Sequence, residues 1–358
     1  MSKNRIIAVV VLGLLVVGAQ AIAQTAADQI PACYVQDQIT SPSLQGNVLG
    51  DPATRPLLVY LPPSYDKEPQ RRYPTIYFLH GFGGKETDFA AGGGIGGLAT
   101  EMMAAGKMGE VIIVLPNASN SYGGSWYQRN NLIGDYRTYL AKELVTYIDT
   151  KYRTLADREH RAVSGISMGG YGALSLAIEY SDVYGTVAAL SPVADIQEIA
   201  DIPGPDPNAI DMFLASNPQV AGLPGGTDFV TNICYAWAAA WSPNLSNPPY
   251  FVDLPVKYPE KTAIPEIWQK WVDADLVRQV MRDGAKLAQT SVLVVSGRGP
   301  ITIMAEVPAG TLVAALYEKA VSFTYTATPG DHMSDIAMKV SAALEFLYPH
   351  ISAPVGAP

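Results

Sequence analysis

Short runs rich in β-branched and aromatic residues recur along the chain, and each ends at proline or glycine. Residues 57–61 (LLVYL) stop at Pro62-Pro63, residues 75–79 (TIYFL) at His80-Gly81, and residues 111–115 (VIIVL) at Pro116. Runs of this length that are apolar throughout suit strands buried on both faces of a parallel sheet. Between residues 135 and 152, Tyr139, Leu140, Leu144, Tyr147 and Ile148 fall at helical spacing with charged residues between them, which predicts a helix. A strand at 161–164 runs into a glycine-flanked turn, and a small-residue helix follows from about Gly170 to Glu179. Residues 185–190, 291–296 (SVLVVS) and 322–327 read as later strands, and 334–347 as a closing helix. This alternation predicts an α/β domain with a mostly parallel sheet flanked by helices.

Three stretches break the rhythm. Lys3 and Arg5 precede an apolar run at residues 6–17, followed by Ala21-Ile22-Ala23. A short apolar run behind a basic start, with small residues at the two positions a signal peptidase reads, predicts a signal peptide over 1–23 and a secreted or periplasmic mature chain from Gln24. The run is too short for a spanning helix, so no stable membrane insertion is expected. Residues 195–265 hold 11 of the chain's 27 prolines, and four of its five tryptophans lie in or just after that stretch. Long helices and central strands are not expected there. It reads as an insertion over the active-site end of the sheet, either a lid or an excursion whose aromatics plug a small core of their own. Finally, Gly92, Gly94 and Gly97 match G-x-G-x-x-G, but no strand precedes them, so a dinucleotide site is not indicated and a flexible loop is expected.

Composition narrows the class. Of 358 residues 48% are hydrophobic and 16% charged, which supports a core and excludes a disordered chain. The net charge is −9 and there is no basic run, so no nucleic-acid surface is expected. Histidine and cysteine spacings give no metal site. Cys33 and Cys234 leave two readings open, a disulfide in an oxidising compartment or two free thiols.

The chemistry concentrates in Gly165-Ile166-Ser167-Met168-Gly169, a G-x-S-x-G pentapeptide between a predicted strand and helix. A serine on so sharp a turn is strained, flanking glycines remove the Cβ atoms that would collide, and the hydroxyl is presented beside a helix N-terminus. Such a nucleophile needs a base. Of four histidines, His160 lies in a charged turn and His350 in the C-terminal tail, whereas His332 follows the last predicted strand. Serine first and histidine after the final strand is the chain order of an α/β-hydrolase, so His332 is the candidate base. His80-Gly81-Phe82-Gly83-Gly84 ends a strand expected beside the serine's. The Phe82 amide and that of Met168 would form an oxyanion hole, with His80 ordering the loop. Trp126, Trp237 and Trp241 are the candidate substrate-binding aromatics.

These motifs resemble the esterase branch of the α/β-hydrolases that contains esterase D-like, feruloyl esterase-like and antigen 85-like proteins. The matching stretches include Tyr60-Leu61-Pro62-Pro63-Ser64-Tyr65, His80-Gly81-Phe82-Gly83-Gly84, residues 161–174 (RAVSGISMGGYGAL) and residues 329–332. The resemblance implies hydrolysis of a small-molecule or polymer-borne carboxylic ester through an acyl-enzyme, with no metal or organic cofactor. It carries over Ser167 as nucleophile, His332 as base, and the Phe82 and Met168 amides as oxyanion donors. One departure stands out. The family's acid usually follows the strand matching residues 291–296, where this chain reads Gly297-Arg298-Gly299-Pro300. Glu306 is the next acid and the candidate third member, the alternatives being a solvated first-turn carboxylate or no third carboxylate at all. Two rival functions remain at this point: acyl transfer of the antigen 85 type, and a ligand-binding protein without catalysis.

Overall fold

A computed structural model describes residues 31–91, 94–194, 229–257, 262–298, 306–332 and 334–352. The signal-peptide region and residues 195–228 of the insertion lie outside the described residues. Among the described residues no helix is long and apolar enough to cross a membrane.

Eight strands form one sheet: β1 (Tyr34–Thr40), β2 (Thr54–Tyr60), β3 (Thr75–Leu79), β4 (Ile112–Pro116), β5 (Arg161–Ile166), β6 (Thr186–Leu190), β7 (Ser291–Gly297) and β8 (Phe323–Thr328). Their spatial order is β1-β2-β4-β3-β5-β6-β7-β8. β1 and β2 pair antiparallel, as do β2 and β4, and every later pairing is parallel. The seven later strands match runs visible in the sequence. β1 does not, because only Tyr34 and Ile39 of its seven residues are buried and its middle is Gln36-Asp37-Gln38, as suits an edge strand.

Alternate side chains of each central strand build two cores. On one face Ile76, Phe78, Ile113 and Leu115 join Ile95, Ala99 and Met102 of α1 (Gly94–Ala104) and the closing helix. On the other, Tyr77, Leu79, Ile112 and Val114 meet α2, a helical run of Tyr136–Thr138, a π turn at Tyr139–Glu143, and Leu144–Lys151. The same face carries α3 (Met168–Glu179), α4 (Phe229–Trp241) and α6 (Leu276–Asp283), which follows α5 (Pro265–Ala274). Between β7 and β8 runs α7 (Glu306–Glu318), and α8 (Ile336–Ile351) closes the chain.

Two sequence expectations are corrected. The glycine-rich stretch taken for a flexible loop is α1 from Gly94 onward. Ile95, Ala99 and Met102 form an apolar stripe at helical spacing, and tertiary burial of that stripe outweighs the poor intrinsic propensity of glycine. The proline-rich insertion does contain a long helix. No proline lies between Pro224 and Pro243, and α4 occupies that window, ending just before the second of them. The disulfide reading is not met: Cys33 and Cys234 are not joined, and they pack into the cores on opposite faces of the sheet.

α3 lies close on the sheet because its first turn is glycine. A Cβ at Gly169 would stand 2.2 Å from the Leu79 carbonyl oxygen, which is backbone and cannot yield. Gly169→Ala is therefore expected to lower stability by about 1–3 kcal/mol, the usual penalty of overpacking. Urea unfolding should show a lower midpoint at unchanged slope.

Candidate active site

Ser167 sits between the end of β5 and the start of α3 with φ 59° and ψ −118°, a region non-glycine residues avoid. Its backbone is held from both sides. Its N–H donates to the Leu190 carbonyl at 2.9 Å, and its own carbonyl accepts the Tyr171 N–H at 3.0 Å, opening α3. Gly165 and Gly169 make the turn sterically possible, since a Cβ on Gly165 would stand 2.6 Å from the Gly169 oxygen. Strain of this kind persists only where the surroundings over-determine it. The side chain is half-buried and reaches the surface.

His332 follows β8 in a tight loop. Its Nε2 is 2.9 Å from Ser167 Oγ. The loop presses on the end of β7, where a Cβ on Gly297 would meet the Gly330 oxygen at 2.5 Å. Asp331 and Ser334 close it: the Asp331 N–H donates to Ser334 Oγ at 2.6 Å, and the Ser334 N–H donates to Asp331 Oδ1 at 2.9 Å. The other ring nitrogen, Nδ1, is buried and has no hydrogen-bond partner among the described residues. Burial first and the cation of Lys339 second push the His332 pKa down to about 4, with Asp331 opposing them.

Lys339 was not singled out from the sequence. It is fully buried, and its Nζ donates to the Asp331 carbonyl and, at 3.0 Å, to the His332 carbonyl. The available signal was its position: it lies three residues after Ile336 and four before Ala343, on the apolar stripe of α8.

Behind the serine, His80 is buried, its Nδ1 2.8 Å from the Gly81 carbonyl oxygen and its Nε2 accepting the Ala118 N–H at 2.9 Å. These partners require a neutral ring protonated on Nδ1, and burial lowers the pKa in the same sense. His80 thus orders the loop. Gly81 crosses Ser167, a Cβ there standing 3.7 Å from the serine Cβ. Gly83 N–H donates to Gly123 O at 2.8 Å, and Gly123 and Gly124 lie against the Phe82 ring. Met168, fully buried, is the first residue of α3, so its amide has no acceptor one turn back in the helix. The Tyr127 hydroxyl donates to the His80 carbonyl at 2.7 Å. The same ring fills the space a Cβ on Gly172 of α3 would need, at 2.2 Å.

The tryptophans are placed differently from the expectation. Trp126, Trp237 and Trp241 are 0%, 2% and 8% exposed. Their ring centroids are 5.6–5.7 Å apart, and Trp271 stands 5.8 and 5.6 Å from Trp237 and Trp241. They form a packed aromatic core under α3, touching Tyr171, and do not present a face to a ligand. Large apolar rings gain most by full burial, and these belong to the main core beside the sheet rather than to a small core of the insertion's own. Glu306 begins α7, and its side chain lies outside the described residues.

A mostly parallel sheet with helices on both faces, and a strained serine facing a histidine after the last strand, define an α/β-hydrolase. The chain belongs to the family described as "Putative esterase", whose model matches residues 52–332. It is 35% identical over 137 residues to an esterase of Mycobacterium tuberculosis, covering 37% of this chain and 27% of that protein. Over 141 residues it is 32% identical to an endo-1,4-beta-xylanase/feruloyl esterase of Xylanibacter ruminicola, covering 37% of this chain and 19% of that one. The match thus spans about a quarter or less of these relatives' length. Among solved structures, a ferulic acid esterase aligns with TM-score 0.63 at 22% identity, covering 89% of this chain and 98% of the other. An S-formylglutathione hydrolase from Agrobacterium tumefaciens aligns with TM-score 0.57 at 15% identity, covering 89% and 95%.

Because desolvation and a neighbouring cation both act against the imidazolium, His332 should stay neutral well below the ordinary value of 6.5. Titration of its ring by NMR should give a midpoint near 4. A midpoint at 6 or above would mean that a counter-charge is supplied to the ring.

Proposed function

We propose that this protein is a serine hydrolase of carboxylic esters, with Ser167 as nucleophile and His332 as base. The observation that carries the reading is the 2.9 Å contact between Ser167 Oγ and His332 Nε2 at a serine held in a left-handed turn. In the proposed cycle Oγ attacks the ester carbonyl while Nε2 takes its proton. The tetrahedral oxygen is met by the Met168 and Phe82 amides. His332 then returns the proton to the leaving alcohol, leaving an acyl-enzyme that water, activated by the same imidazole, hydrolyses. Support for the amide pair comes from Met168 standing at the helix N-terminus and from the Phe82 loop crossing the serine. Preorganised donors there act without reorganisation as charge develops. The family and the names of its relatives support ester chemistry. The basic start, apolar run and small-residue site at 1–23 support export.

The depressed pKa has a chemical consequence for this reading. Around neutral pH the ring is almost wholly in its free-base form, ready to accept a proton, but it is a weaker base than an imidazole oriented by a carboxylate. Among the described residues, none hydrogen-bonds Nδ1 to stabilise the imidazolium once formed.

Two substitutions test the assignment. Ser167→Ala should reduce hydrolysis of p-nitrophenyl acetate by roughly 10⁴–10⁶-fold and abolish labelling by a fluorophosphonate probe; a labelled variant would sink the reading. Glu306→Gln decides the third member: a loss on the order of 10⁴, as follows removal of an orienting acid, makes Glu306 that residue, and turnover within about threefold of the parent removes it from the catalytic set.

A further inference from the structure

The imidazole of His332 is held without a hydrogen bond on Nδ1 from any described residue, yet it lies in bonding range of Ser167. Where the ring can reach depends on the backbone that carries it, and that backbone is gripped at two consecutive carbonyls, those of Asp331 and His332, by the Nζ of Lys339. Lys339 belongs to α8, whose Val340, Ala343, Leu344 and Leu347 are packed under the sheet. A rigid element thereby anchors the loop.

A fully buried lysine is unusual, because desolvating an ammonium is expensive unless its donors are used. An apolar residue would fill this helix position more simply. The retention of a cation beside the histidine thus calls for a local reason, and the two carbonyl bonds supply one.

We propose that Lys339 is a positioning residue: its ammonium clamps the Asp331 and His332 carbonyls and so aims the imidazole at Ser167, a task usually given to a carboxylate on Nδ1. The proposal rests on the reading of Ser167 and His332 as nucleophile and base. Its mechanism is distinct from that of an acid, since the clamp acts on the main chain and its charge disfavours the imidazolium. Among the described residues, the groups facing His332 are Lys339 from α8, Asp331 from its own loop and the neutral Ser167 hydroxyl at the start of α3, and β7 brings the main chain at Gly297 against the loop.

The test compares Lys339→Met with Lys339→Arg, using p-nitrophenyl acetate turnover, the rate of fluorophosphonate labelling, and NMR titration of the His332 ring, identified by its loss in His332→Gln. Lys339→Met should lower kcat by about 10–100-fold, the scale of a displacement of about 1 Å, with KM within about twofold. Its imidazole midpoint should rise toward 6.5 as the cation is removed. Lys339→Arg should recover most of the labelling rate and keep the low midpoint. If the Met variant does not fold by near-UV circular dichroism, Lys339→Gln replaces it, keeping a donor without the charge. For Gln the midpoint should rise while kcat is partly retained. Unchanged kcat and midpoint in the uncharged variant overturn the proposal. So does equal impairment of both variants at an unchanged midpoint, which is the mark of a purely structural lysine. If the parent protein is not labelled at all, the nucleophile assignment falls, and the ring titration still decides whether Lys339 governs His332.

Discussion

The left-handed turn at Ser167 is the constraint on which the site depends. A non-glycine residue at φ 59° is stable only because its neighbours leave the chain no other route. β3 and β6 flank β5, the Leu190 carbonyl takes the serine N–H, and the glycines on either side allow β3 and α3 to come within backbone contact. Every other component is measured from this point. The Gly81 crossing, the start of α3 and the approach of the His332 loop over Gly297 are all placed at the carboxyl ends of adjacent parallel strands, where open α/β sheets bind their ligands.

Much of this was legible in the chain. The continuous apolar runs of β2, β3 and β4 predicted the sheet, because strands buried on both faces need no polar alternation. The pentapeptide around Ser167 and the histidine in the loop directly after the last strand are close in space in the way their chain order implies. What was not legible has physical reasons. β1 is half exposed and carries its information in its partner, through the register from Tyr34↔Tyr60 to Thr40↔Thr54. α1 hides behind glycines that matter for close packing and say little about helix. The tryptophans were ambiguous because an aromatic ring in sequence looks the same whether it lines a pocket or fills a core. Lys339 escaped notice because a single lysine in an amphipathic pattern usually marks the solvent face, and here it marks the buried one.

The surroundings of His332 also alter how the two halves of the reaction are balanced. A carboxylate beside the ring would stabilise the charged intermediate and raise the pKa together; burial and a cation do the reverse.

Tyr127 joins parts of the molecule that carry opposite duties. Its hydroxyl holds the main chain at His80, and its ring rests in the notch left by Gly172. The loop after β3 and the helix that opens at Ser167 are therefore keyed together like the two leaves of a hinge with its pin driven home, so that neither can tilt without the other.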